Sequence, residues 1–320
     1  MQRFNCPLCG TRAYFHNLTC ACGSQLYYDP QTSRMATDAP ACANRPGIGC
    51  NWTAPLDGTL CPSCAMSQVV PVLHVGDNLQ LLARAERAKR WVLANLARWG
   101  WFTDDDPGRR PRFLMLSEEA GGRSQQITMG HAAGDITINV TEADELIRLK
   151  RQRDLGEQYR SMVGHFRHEL SHFLFDRLSE DDRFRPALRK IFGDERADYA
   201  AALRRHYAEP RNPGEHFITA YATAHPHEDW AETAAHLLHL VDFTDSFVSA
   251  GLSMPGIPSD FRPYEEADTL RLLPIAAEVA IAINDINRAL DNSDLYPFVL
   301  TAPIRDKLAF AHRWLRAPRH

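Results

Sequence analysis

The spacing of apolar residues changes character along the chain, and each change predicts a different kind of element. Residues 1–70 carry almost no helical periodicity and are rich in Cys, Gly, Pro and Asn. Between 80 and 100, Leu81, Leu82, Ala85, Ala88, Val92, Leu93 and Leu96 recur mostly at spacings of three and four, which predicts an amphipathic helix. Arg84, Arg87, Lys89 and Arg90 fill much of its other face and are expected to be solvated. Asp104–Gly108 is a loop signal and Arg112–Leu116 reads as a strand. Ile127–Met129 and Ile136–Val140 read as two arms of a hairpin around Gly130–Gly134. From about residue 141 the pattern is nearly all helical, interrupted by Pro186, Pro210, Pro213, Pro226, Pro255, Pro258, Pro263 and Pro297. The sequence has no internal repeat and no low-complexity tract.

Composition narrows the classes. The 320 residues are 44% apolar and 24% charged, ordinary globular values. A net charge of -4 disfavours a dedicated nucleic-acid binder. No apolar run approaches the roughly 18 residues of a membrane span, and the first residues lack an apolar signal core. A soluble, cytoplasmic protein is the expectation. All eight cysteines lie between Cys6 and Cys64, a confinement that points to metal rather than disulfides.

Cys6-Pro-Leu-Cys9-Gly10 and Cys20-Ala-Cys22-Gly23 are two knuckles, each able to grip one tetrahedral ion from a tight turn. Cys42, Cys50, Cys61 and Cys64 form a looser second set. We expect two structural zinc sites, one per set, although spacing alone leaves crossed pairing open. A core this small needs such a staple.

His168-Glu169-Leu-Ser-His172 is an HExxH motif. Positions four apart share a helix face, so both imidazoles can bind one ion, with Glu169 beside them as a base for a metal-bound water. Met162, Val163, Phe166, Leu170, Phe173 and Leu174 predict that this helix is buried. His165, one turn earlier, reads as a pocket residue supporting the ligands. A catalytic zinc wants a third protein ligand and one open position. The best candidate is Glu228, just after a helix start at Pro226, with Glu232 on the same face able to orient a ligand imidazole. Glu195, 23 residues after His172, is the rival. His236 and His239 read as ordinary histidines.

On these residues the chain resembles the zinc-binding metallopeptidases that carry an N-terminal zinc ribbon. The likeness runs through Cys50-Asn-Trp52, Gly130-His131, Ile136–Asn139, Gly164–Glu169, Phe192–Arg196, Ala224–Pro226, Glu228–Glu232 and Tyr296–Val299. The site segments are also similar to lethal-factor-like peptidases, in which a Glu ligand opens an ExxxE helix with a Tyr seven residues before it. That resemblance implies that Tyr221 donates a hydrogen bond to the developing oxyanion. Together these imply an α+β fold. Residues 1–70 would be a zinc-ribbon module and 71–320 a mainly helical zincin-like domain, with a helix and small sheet over 71–140 and a helical body over 141–320.

The resulting expectation is a zinc metallopeptidase, an endopeptidase, acting on a peptide or protein substrate with one catalytic and two structural zincs. The strand Ile136–Val140 is expected to pair with an extended substrate at a sheet edge. The alternatives are a non-catalytic protein that uses the same fold to bind a partner, and a metallohydrolase acting on something other than peptides. No membrane partner is expected, nucleic acid is disfavoured, and the oligomeric state is left open.

Overall fold

The cysteine-rich segment is built from knuckles and hairpins, as its composition predicts. β1 (Arg3–Asn5) pairs antiparallel with β2 (Arg12–Tyr14), and β3 (Tyr27–Asp29) with β4 (Arg34–Ala36). Two single-turn helices follow, α1 (Arg45–Ile48) and α2 (Pro62–Ala65). The computed structural model describes residues 3–120, 123–124, 126–155, 161–296 and 299–317. Pro297 and Phe298, which belong to the Tyr296–Val299 segment above, lie outside the described residues.

The next elements are β5 (Ser67–Val69), α3 (Asn78–Ala97), β6 (Arg112–Leu116), the short pair β7 (Glu119–Ala120) and β8 (Arg123–Ser124), then β9 (Gly130–Ala132) and β10 (Asp135–Asn139). One four-stranded sheet has the order β5-β6-β10-β9, with β9 antiparallel to β10 and the other neighbours parallel. Phe113 pairs with Ile136 and Met115 with Ile138, and all four are buried. The turn Val140–Ala143 leads into α4 (Glu145–Leu155). The helical body is α5 (Met162–Leu178), α6 (Phe184–Phe192), α7 (Tyr199–Ala208), α8 (Pro226–Ser249), α9 (Thr269–Ala289) and α10 (Ala302–Arg316). The fold is thus mixed α+β, about 47% helical, with the cysteine clusters ahead of a mainly helical part. No helix among the described residues is long and apolar enough to cross a membrane.

Three sequence expectations are corrected. The cationic face of α3 is only half solvated: Arg84 and Arg87 are exposed, but Lys89 and Arg90 are 0% and 1% exposed. Lys89 Nζ donates to Glu86 Oε1 at 2.8 Å and Ser67 Oγ at 2.6 Å, so its charge is paired rather than hydrated. The hairpin is shifted as well. Ala133 and Gly134, with φ of 52° and 91°, form a two-residue turn, and this makes Gly130–Ala132 the partner strand instead of Ile127–Met129. Finally, β10 is not an edge. It lies between β6 and β9, and β9 occupies its outer side over Asp135–Thr137, so that stretch offers no free edge.

By compactness the chain divides into Gln2–Glu169 and Leu170–His320, a boundary that falls inside α5. In the first unit α3 packs on α1, α2 and the turn Val140–Ala143. Trp91 of α3 meets Phe15 with ring centroids 5.0 Å apart and His16 at 5.7 Å. The first half of α5 is fixed by Phe166 against Phe113, 5.7 Å apart, and by Arg167 Nη2 donating to Asn95 Oδ1 at 3.0 Å. In the second unit α8 is the spine, contacting α6, α9 and α10. Trp230 centres an aromatic cluster with Phe175, Phe184, Phe192 and Phe310. Its indole N–H donates to Ser171 O at 2.9 Å, tying α8 to the second half of α5.

Candidate metal centres

Each cysteine set closes on itself, with no crossing between sets. In the first, Cys6 Sγ lies 3.9 Å from Cys22 Sγ, and Cys9 Sγ 3.6 Å from Cys20 Sγ. In the second, Cys50 Sγ lies 3.6 Å from Cys61 Sγ and 3.7 Å from Cys64 Sγ. Sulfurs about 2.3 Å from a tetrahedral zinc would stand about 3.8 Å apart, whereas a disulfide needs about 2.05 Å. The spacing therefore fits zinc. Positive-φ glycines follow the knuckles at Gly10 and Gly23, and Gly10 N–H closes the first on Cys6 O at 2.9 Å.

Four thiols this close cannot all ionise without a cation. In the first set the Ser24 hydroxyl draws the Cys6 thiol down to about 6 and lowers Cys22 as well. In the second, Cys42 is driven down by its three partners, and its own position pushes Cys61 and Cys64 up. Cys61 N–H points at Cys42 Sγ (3.3 Å) and Cys64 N–H at Cys61 Sγ (3.4 Å). Against the raising effect of Cys42, hydrogen bonds with Cys61 and Cys64 and, least, the buried Arg90 guanidinium, which reaches Gly49 O at 3.5 Å, hold the Cys50 thiol down.

The third group is different in kind. His168 and His172 stand one turn apart on α5 with Glu169 between them in sequence, so their mutual placement is helix geometry. Their ring nitrogens and a carboxylate oxygen of Glu228 all lie within 4.8 Å of one another. Glu228 is held by the start of α8. His225 is the N-cap: its Nδ1 accepts from His227 N–H at 3.1 Å and its Nε2 donates to Ala197 O at 3.0 Å. Pro226 then opens the helix, and Glu228 sits in the first turn, where the helix dipole favours negative charge. The carboxylate is 1% exposed, with Oε2 3.3 Å from His172 Nε2. A buried carboxylate facing two imidazoles calls for positive charge, and two His with one Glu is a zinc donor set.

The other sequence candidates separate clearly. Glu195 is not brought to the histidines: both of its oxygens are held by the Arg189 guanidinium, Nε at 2.8 Å and Nη2 closer still, which lowers its pKa. His165 instead pairs with Glu142 Oε2 at 2.9 Å, in a network with Arg151, Glu118 and Asn139. Glu232 accepts from Thr219 Oγ1 at 2.7 Å. Tyr221 opens a 3-10 turn ahead of α8. Burial, then the negative charge of Glu228, pushes its phenol above the ordinary range, so it keeps its proton as a donor. His236 and His239 are buried along α8.

Sequence reasoning gave Tyr199 no role, yet its hydroxyl donates to Glu228 Oε1. No spacing rule flags a partner 29 residues away. The His225 cap was similarly missed, although a polar residue directly before Pro226 is a usable signal.

Similarity to known proteins agrees with this arrangement. The profile of a family described as "Putative zinc-binding metallo-peptidase" matches residues 78–314, from the first residue of α3 into α10. Over 328 aligned residues the chain is 35% identical to an uncharacterized protein of Mycobacterium bovis and to uncharacterized proteins of two strains of Mycobacterium tuberculosis. Those alignments cover 98% of this chain and 94% of each relative. No solved structure matches. With both donor helices inside the matched region, the chain belongs to the family of zinc-binding metallopeptidases.

Proposed function

We propose that this chain is a zinc-dependent endopeptidase that cleaves peptide or protein substrates. The convergence of His168, His172 and Glu228 carries the reading, because three protein donors leave the open fourth position of a catalytic site. Zinc, when bound, would supply Lewis acidity and a water that ionises near neutral pH. Glu169 takes the proton from the attacking water and passes it to the leaving amine. Tyr221, kept protonated, donates to the carbonyl oxygen as it gains charge. Glu232 acts from behind, holding Thr219 two residues before Tyr221.

The two cysteine sets would hold structural zincs, giving three ions per chain. The family match beginning at residue 78 supports a division into a zinc-ribbon module over 1–70 and a zincin-like domain over 71–320. Cysteines grouped for metal rather than joined as disulfides support a reducing compartment, the cytoplasm.

Zinc-edge anomalous diffraction on native crystals is expected to give three peaks, one of them at His168, His172 and Glu228. Peaks at the cysteines alone, with zinc added, would sink the catalytic reading. Glu169→Gln separates an enzyme from a binding protein. We expect a fall of about 10²–10⁴ in turnover with zinc content unchanged. Equal cleavage by the variant would remove Glu169 from the mechanism.

A further inference from the structure

We infer that Tyr199 is a positioning residue for the third metal donor, fixing which oxygen of Glu228 faces His172. The inference rests on the metallopeptidase reading above. A Glu carboxylate turns about its last torsion with little preference, because that torsion is broad and roughly two-fold. Here the two oxygens have distinct partners: Oε2 stands 3.3 Å from His172 Nε2, and Oε1 receives the Tyr199 hydroxyl. At 1% exposure the carboxylate has little access to bulk water that could substitute for the phenol. The donor's identity matters. A neutral phenol orients the carboxylate and leaves its charge for a metal, whereas Arg189 engages both oxygens of Glu195 with a full positive charge. That contrast accounts for one buried glutamate being available as a donor and the other not.

The segment that carries Tyr199 is itself fixed. Asp198 caps α7, its side chain accepting from Ala201 N–H at 2.9 Å, which sets Tyr199 as the first residue of that helix. Two residues earlier, Ala197 O accepts from the same His225 that caps α8. The Tyr199 and His225 rings meet edge to face at 5.2 Å. One imidazole thus orders both the backbone before Tyr199 and the turn that presents Glu228. Tyr199 is 41% exposed, so its ring is no core anchor and the hydroxyl is the part with a specific task.

The test measures zinc affinity on the full-length protein by competition with a chelator of known affinity, with zinc stoichiometry counted in parallel. Glu228→Ala should abolish the third zinc and leave the two cysteine-bound ions. Tyr199→Phe should weaken the third zinc about tenfold, with the cysteine-bound zincs and the melting temperature unchanged. In a Glu228→Asp background, where the shorter carboxylate withdraws from the phenol, Tyr199→Phe should change affinity by less than about twofold. An unchanged third-site affinity in Tyr199→Phe, or an equal loss in both backgrounds, overturns this inference and leaves the metal reading intact. A wild-type protein that binds only two zincs overturns both.

Discussion

The two cysteine clusters present the same four sulfurs at nearly the same spacing, yet their surroundings are opposite. Cys9 and Cys22 of the first are exposed, and little more than Ala13, Leu26 and Phe4 packs around it. All four cysteines of the second are buried, on a segment packed against α3, with the buried Arg90 nearby. A zinc held by four thiolates carries net negative charge. Water screens that charge at the first cluster, while at the second the protein must answer it with N–H donors and a guanidinium. The first cluster therefore shapes a local knuckle. The second has become part of the core, where removing one partner leaves another charge stranded.

The largest effect that would test this contrast is at the buried cluster. Cys61→Ser should lose one zinc and the cooperative fold of residues 2–169. Structural zinc contributes on the order of 10 kcal/mol in small domains, as much as the whole stability of a typical one. A soluble Cys61→Ser protein with wild-type near-UV circular dichroism would break the comparison. Cys22→Ser is expected to be milder: one zinc fewer, a small drop in Tm, and the other ions retained. If it unfolds the chain as Cys61→Ser does, exposure was the wrong measure of coupling.

The smallest effect concerns the joint between the first cluster and α3. Burial, with help from Arg87 and Arg90, lowers the His16 pKa from 6.5 to about 3. The folded state thus keeps this imidazole uncharged where the unfolded chain would protonate it. Its contribution is fully present above pH 6.5 and drains away as pH falls toward 3. At pH 5 the loss is about 2 kcal/mol relative to pH 7. Denaturant melts at both pH values, with zinc in excess, should show His16→Gln losing less than wild type. Equal losses would mean that His16 is solvated and the joint is loose.

What the sequence made legible was local. The HExxH helix, the two cysteine sets and the helix start at Pro226 are patterns within a few residues, fixed by helix and turn geometry. What it hid was long-range. Periodicity marks the apolar face of α3 but cannot see that Glu86 and Ser67 would bury Lys89. The interior place of β10 depends on parallel pairing with β6, which leaves no mark in either strand. The hairpin slipped because the turn tightens to Ala133 and Gly134, so that Gly130–Ala132, read as part of the turn, become strand. The grouping of sulfurs, open from spacing, was settled by three-dimensional proximity. Tyr199 and Glu228 meet where His225, the cap of α8, also bonds Ala197 O just ahead of α7.

The separation of the donors along the chain sets an order of assembly. All eight cysteines precede residue 65, whereas His172 and Glu228 are 56 residues apart. At about 5–20 residues per second, a ribosome adds Glu228 roughly 3–11 s after His172. Through that interval the growing polypeptide can already have filled its cysteine sites but holds only two of the three His/Glu donors. The His/Glu donor set therefore stays incomplete until the first turn of the long spine helix has been synthesised and seated.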